Sequence, residues 1–230
     1  MARMDRIERW LETGEDFPWN EREILRYLGH RGQEIPENVE TLMTECKREL
    51  EQAASARSVW KEYPLKIAGH VLDMAFVQTK SENLEKNLKD CERVLVFCAT
   101  LGSGVDLLLR RYSRIQMSRA VILQAAAAAM LETYCDWKNE ALQREYREKG
   151  WYMRPRFSPG YGDFPLECQR GIGEALELNK RIGVTLTDSL LMAPSKSVTA
   201  VMGLSRKPRV CSVQGCEACG KTDCVYRRQT

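Results

Sequence analysis

An α+β fold, with a central, mostly antiparallel sheet flanked by long helices, is what this 230-residue sequence predicts. Three observations carry that expectation. Apolar periodicity switches along the chain from a helical to a strand-like repeat and back. The order runs helices, then strands, then long helices, then strands again. One run, Glu92–Thr100, is apolar almost throughout, as a strand buried on both faces requires. With 43% hydrophobic residues the chain can bury a substantial core.

The first sixty residues read as helical. Asp5–Glu12 is short and amphipathic, and Asn20 is placed to cap Glu21–Leu28, with Glu23 three residues on as in a capping box. Gly29 and Gly32 close that helix, and Pro36 opens a third that runs to about Ala56 with Val39, Leu42, Met43, Cys46 and Leu50 on one stripe. Ser58–Tyr63 and His70–Gln78 carry the alternation and the β-branched or aromatic residues of strands. Ser81–Asp90 has a helical pattern. After the buried strand, Leu101-Gly102-Ser103-Gly104 makes a turn, and Val105–Lys149 reads as a long helical region with a break expected near Ser113. Ala125–Ala129 offers that region a small-residue face.

Gly150 stops the helix, and the three prolines and two glycines of Trp151–Pro165 make that stretch ordered loop rather than helix or central strand. Leu166–Arg181 is helical and capped by Gly183. Thr185–Met192 and Ser197–Leu204 read as two strands joined by a turn at Ala193–Lys196. The organisation expected is a helical N-terminal extension over residues 1–55, a mixed domain over 56–208, and a cysteine-rich tail over 209–230.

Charge is balanced, 35 basic against 32 acidic residues, and evenly spread, which argues against a nucleic-acid partner. No stretch reaches the roughly 18 apolar residues that span a bilayer, and the charged N-terminus lacks the apolar core of a signal peptide. A cytoplasmic protein without membrane association is therefore expected. Its nine cysteines then stand as reduced thiols, metal ligands or redox groups.

Two segments concentrate chemistry. In Arg154–Pro165, three prolines restrict the backbone, while Gly160 and Gly162 permit close approach of a ligand to the main chain. Arg156 has the fork to clamp a carboxylate, and Tyr161 can stack on a planar group. The same residues also suit a proline-stiffened structural loop with solvated arginines. In the tail, Cys211, Cys216, Cys219 and Cys224 place four thiols within fourteen residues, with Gly215 and Gly220 between them. Four thiolates so spaced suit a tetrahedral zinc or an iron–sulfur cluster, and the spacing does not choose between them. Cys46, Cys91, Cys98 and Cys135 sit in apolar patterns and read as core, as does Cys168 on its helix. His30 and His70 have no ligand or triad spacing. Leu101–Gly104 lacks the Lys-Ser/Thr of a phosphate loop and reads as a turn close to a ligand groove.

Arg156-Phe157-Ser158-Pro159-Gly160-Tyr161 resembles the Arg-x-x-x-Gly-Tyr motif of the activation domain of vitamin B12-dependent methionine synthase. The resemblance continues, in order, through Gly183-Val184-Thr185-Leu186-Thr187-Asp188-Ser189 and through Met192-Ala193-Pro194-Ser195-Lys196-Ser197-Val198-Thr199. It extends more weakly back through Phe97–Gly102 and the helix bearing Glu132. It implies an S-adenosylmethionine site in a shallow groove. Arg156 would meet the ligand carboxylate, main-chain groups at Ser158 and Gly160 the adenosyl side, and Tyr161 and Glu132 the sulfonium end. It also implies a partner, a cobalamin-binding methionine synthase or another corrinoid protein, to which the methyl group is presented after a flavodoxin- or ferredoxin-type donor has supplied one electron. No Asp-x-His-x-x-Gly corrinoid motif occurs in this chain, so the cobalamin would be the partner's, and the chain a free-standing reactivation subunit with no catalytic residue of its own. The family's further strand is replaced after Leu204 by the tail. The alternative reading is a metal-dependent binding or redox module, with zinc or an iron–sulfur cluster at the four cysteines and the fold retained without use of a methyl donor.

Overall fold

The computed structural model describes residues 18–30, 32 and 34–208. The core is a four-stranded sheet in the order β1 (Arg57–Pro64), β5 (Arg93–Thr100), β9 (Ser197–Ser205), β6 (Tyr152–Met153), every pairing antiparallel. β5 lies at its centre, with Phe97 opposite Trp60 on one side and Ala200 on the other. Its alternate residues feed two cores. Leu95, Phe97 and Ala99 join one apolar cluster and Val94, Val96 and Cys98 the other, which is why the sequence here is apolar without alternation. The outer strand β1 carries Arg57, Lys61 and Glu62 exposed, charges that discourage edge pairing with a second molecule.

On one face pack α1 (Glu21–Tyr27), α2 (Glu37–Ala53), α4 (Ser103–Ile115) and the 32-residue α5 (Met117–Glu148). Asn20 caps α1 as expected, accepting from the Glu23 N–H at 3.2 Å. Met43, Cys46 and Leu50 bury the α2 stripe in the same cluster as Leu123, Ala126 and Met130 of α5. The helices before residue 56 thus form part of the main core. The alanines of 125–129 let α5 sit close to its neighbours, with all but Ala128 buried.

The other face carries a three-stranded sheet, β2 (Lys66–Ala68), β3 (Val71–Asp73) and β4 (Gln78–Lys80), followed by α3 (Glu82–Asn87). α6 (Cys168–Ala175) and α7 (Leu178–Ile182) complete it, with a short hairpin of β7 (Thr185–Leu186) and β8 (Met192–Ala193).

Several local expectations are corrected. The strand expected over His70–Gln78 is two strands, folded at a turn in which Ala75 takes φ 66° and its N–H is bound by Asp73 Oδ1 at 2.9 Å. The break expected near Ser113 falls at Gln116, whose φ of −156° is extended, and Ser113 itself stays in the helix with its hydroxyl on the Arg110 carbonyl. Leu166–Arg181 divides where Glu177 adopts a left-handed conformation. Within the expected loop, Tyr152–Met153 adds a strand to the main sheet. Thr185–Met192 is not a strand of that sheet, since its two ends pair with one another around the Thr187–Leu191 turn. Of the turn expected over Leu101–Gly104, only Leu101 and Gly102 lie outside helix; Ser103 and Gly104 open α4, where a side chain on Gly104 would strike the Ala53 carbonyl oxygen. Cys46, Cys98, Cys135 and Cys168 are buried, whereas Cys91 is only partly so.

Candidate functional site

Arg156 follows β6, and a short antiparallel bridge between Phe157 and Val201, with both N–H···O bonds at 2.9 Å, fixes the backbone just beyond it. The side chain turns to α5. There Nη2 donates to Asp136 Oδ1 at 2.6 Å and to Glu132 Oε2 at 3.2 Å. Glu132 and Asp136 are four residues apart, one helical turn, so both carboxylates lie on one face. The guanidinium is mostly buried, while the side chains of Glu132 and Asp136 are 37% and 59% exposed. Both bonds leave from one nitrogen, so the five-donor fork is not spent on them. One cation and two anions give the cluster a formal charge of −1, with its negative edge toward solvent. Between the carboxylates Cys135 is buried, and desolvation pushes its thiol up to about 12 even though Arg156 lies close. It is a packing residue without nucleophilic character at neutral pH.

The loop beyond Arg156 is tightly self-bonded. The Gly160 N–H donates to the Phe164 carbonyl at 2.8 Å, and the Tyr161 N–H to the Ser158 carbonyl at 3.1 Å. Gly160, at φ 84°, supplies the left-handed geometry that this crossing needs. Pro159 and Phe164 are buried beneath, and the edge of the Phe157 ring meets Tyr161 at 5.4 Å between centroids. Tyr161 itself stays 48% exposed above them. Its far side is tied down by Asp163, whose carboxylate accepts from the Ser81 hydroxyl at 2.5 Å and from the N–H groups of Glu82 and Asn83 at 2.7 and 3.1 Å. Those bonds hold the Asp163 carboxyl at about 2, below the usual carboxylate range.

Of the residues predicted from sequence, the structure brings Glu132 and Arg156 into contact, and sets Ser158, Gly160 and Tyr161 in the loop that continues from Arg156. Asp136 belongs to the cluster and was missed; its spacing from Glu132 on a helix was the available signal. Arg154, grouped with Arg156 as a solvated arginine in the structural reading of the loop, is 1% exposed on the other face of the sheet. It packs near Gly203, and its Nε and Nη2 have no partner among the described residues. His30 and His70 are ordinary: the His30 Nδ1 accepts from the Gly32 N–H, and His70 pairs with Glu85. Cys211, Cys216, Cys219 and Cys224 lie outside the described residues. Among the described ones no group of three or more potential ligands could hold a metal, and no helix is long and apolar enough to cross a membrane.

The other segments that carry the resemblance are fixed by their own hydrogen bonds. The Thr187–Leu191 turn is pinned to α6 by Gln169 and Arg170. Ser195 binds Asp106 of α4 through its N–H and its hydroxyl at 2.8 and 2.6 Å, and Ser197 binds Thr100 and the Pro194 carbonyl.

Residues 75–229 match the family described as vitamin B12 dependent methionine synthase, activation domain, a match that spans the four tail cysteines. Among solved structures, the crystal structure of the MetH reactivation domain bound to AdoHcy aligns over 90% of this chain and 75% of that one, with a TM-score of 0.60 at 17% identity. At that identity the likeness speaks for the fold. A comparison with curated proteins finds no match.

Proposed function

From the premise that the chain belongs to the family of vitamin B12-dependent methionine synthase activation domains, we propose that it binds S-adenosylmethionine at the Arg156 cluster and serves as a reactivation subunit for a corrinoid protein. The observation that carries the reading is the charge arrangement. S-adenosylmethionine bears a carboxylate, an ammonium and a sulfonium, for a net charge of +1. The cluster offers one guanidinium and two carboxylates, for a net charge of −1. Arg156 takes the ligand carboxylate on the part of its fork that Glu132 and Asp136 leave open. Glu132 and Asp136 face the cationic groups. Main-chain atoms of Ser158 and Gly160 approach the adenosyl side, and Tyr161 covers the sulfonium end.

The sulfonium supplies an activated methyl group, and the corrinoid of the partner supplies the nucleophile. Proximity and orientation are what remains for the protein. No general base is required, in keeping with a cluster whose groups are all paired ions. The partner is a cobalamin-binding methionine synthase or a related corrinoid protein, and the electron comes from a flavodoxin- or ferredoxin-type donor.

Calorimetric titration of S-adenosylmethionine tests this. Saturable binding is expected, with Arg156→Ala weakening it by about 10- to 100-fold, the cost of a lost charge-assisted pair at ~1.5–3 kcal/mol. Arg156→Lys keeps the charge without the fork and is expected to fall between the two. No binding by the wild-type chain, or equal binding by Arg156→Ala, overturns the reading.

A second reading rests on sequence spacing alone: Cys211, Cys216, Cys219 and Cys224 place four thiols within fourteen residues, and in this reading the tail holds zinc or an iron–sulfur cluster. Metal analysis of the purified chain would then show one metal site per chain, lost in Cys216→Ser and indifferent to Arg156→Ala.

A further inference from the structure

The corner where α4 meets α5 is basic and free of carboxylates. Between residues 107 and 131 there is no Asp or Glu, yet there are four arginines, in a sequence otherwise balanced in charge. Arg119 is engaged by Glu45 and Glu49. Arg110, Arg111 and Arg114 are exposed and have no carboxylate partner among the described residues. They share a face of α4 with Leu107 and Ile115, at the helical offsets i, i+3, i+4, i+7 and i+8. Leu107, Ile115, Met117 and Val121 are each more than half exposed, at 62%, 65%, 64% and 51%. Four exposed large apolar side chains on these two helices, beside three cations without a carboxylate partner among the described residues, are an unusual use of surface.

Behind this corner a groove of about 490 Å³ opens between α4, α5 and Tyr27 of α1. Leu109, Val121, Ala125 and Ala128 make its apolar walls, and Lys196 stands at its side. The Lys196 ammonium donates to the Gln124 carbonyl at 3.3 Å, and burial pulls its pKa down although Asp106 lies nearby. The groove also points somewhere. Val121, Ala125, Ala128, Glu132 and Asp136 follow one another at three- and four-residue steps along α5, so it runs toward the Arg156 cluster. From Val121 to Glu132 is eleven residues, ~16 Å at 1.5 Å per residue. A protein footprint of about 800 Å² on one partner covers both.

We propose that the α4–α5 corner and its groove form the docking surface for the corrinoid-bearing protein, which meets it with an acidic face carrying a protruding apolar side chain. The proposal rests on the reading of this chain as a reactivation subunit and adds to it which surface receives the partner. Carboxylates of the partner pair with Arg110, Arg111 and Arg114, its apolar side chain enters between Val121 and Ala125, and the corrinoid is brought along α5 toward Glu132. Charge of this kind at an interface acts chiefly on encounter and orientation, so association is expected to weaken with salt.

The test measures binding of the purified chain to a cobalamin-binding methionine synthase that lacks this domain, at low and at physiological ionic strength. S-adenosylmethionine titration of every variant runs in parallel. Two exposed sets are changed: Arg110→Glu with Arg111→Glu and Arg114→Glu, and separately Val121→Glu. Each is expected to weaken association tenfold or more, to flatten or reverse its salt dependence in the arginine set, and to leave S-adenosylmethionine affinity at the wild-type value. Unchanged association in both sets, or no association by the wild-type chain, overturns the docking surface while the parallel titration reports on the methyl-donor site by itself. Self-association of the chain that Val121→Glu abolishes would assign the face to a second copy and overturn it equally.

Discussion

Arg156 is held where two helical carboxylates converge on one of its nitrogens, and this makes the site a charge arrangement before it is a shape. Each partner changes the balance differently. Neutralising Glu132 as Glu132→Gln takes the cluster from −1 to 0 and leaves Arg156 anchored by Asp136 at 2.6 Å. Because Glu132 is partly exposed and screened, the loss in S-adenosylmethionine affinity is expected to be roughly two- to fivefold, well short of the effect of Arg156→Ala. Calorimetry on the two variants side by side checks the order. Arg156 and Glu132 were legible in the sequence through the resemblance that carries them. Asp136 was not, because a carboxylate on a long charged helix looks solvated until the chain that crosses it is known. Arg154 shows the converse. Nothing in Met153-Arg154-Pro155-Arg156 distinguishes its two arginines, and only the pairing of this segment with Gly203 sends the first into the core.

Among the elements, the Arg156–Tyr161 loop and α3 act as one unit through Asp163. The carboxylate caps the N-terminus of a helix eighty residues away in sequence and takes the hydroxyl of Ser81, itself the N-cap residue. The short range of the Arg-x-x-x-Gly-Tyr segment conceals this, since a cap supplied from outside the helix leaves no local signature. Its pH dependence follows from the sign of the shift. The folded carboxyl titrates at about 2, below its ordinary range near ~4, so its contribution is complete above ~4 and is lost as pH falls through about 2. Thermal melts of the wild type and Asp163→Asn should therefore differ at neutral pH and converge toward pH 2. A gap that stays constant over that interval would mean the ionised carboxylate is not what holds the loop. At neutral pH, S-adenosylmethionine affinity should fall in the variant together with its melting temperature, because Gly160 and Tyr161 ride on the same turn.

For the whole molecule, the sheet divides two cores that were legible to different degrees. Central strand β5 and long helix α5 announced themselves, the first by a continuous apolar run and the second by length. Short elements did not. β6, β7 and β8 are two residues each, below the span over which alternation can be read, and they exist because β9 and the facing turn supply their partners. The role of the N-terminal helices was also illegible, since a single amphipathic stripe on α2 says that it packs without saying on what. The family match begins at residue 75, yet Ile24, Met43, Cys46 and Leu50, at 0 to 6% exposure, share a cluster with Leu123, Ala126 and Met130 of α5. Gly104 presses on the Ala53 carbonyl in the same seam, so Gly104→Ala should cost the upper part of the ~1–3 kcal/mol typical of overpacking, read as a lower denaturation midpoint with an unchanged slope. Removing residues 1–55 goes further, because it strips an apolar wall from α5 where the alanines leave no side chain long enough to refill the space. The truncated chain is expected to lose its cooperative melt and to bind apolar dyes, with S-adenosylmethionine binding lost along with the fold. A truncated chain that melts cooperatively and still binds the ligand would show that α1 and α2 are an appendage on a self-sufficient domain, and Tyr27 would then have to be judged by its place in the groove alone.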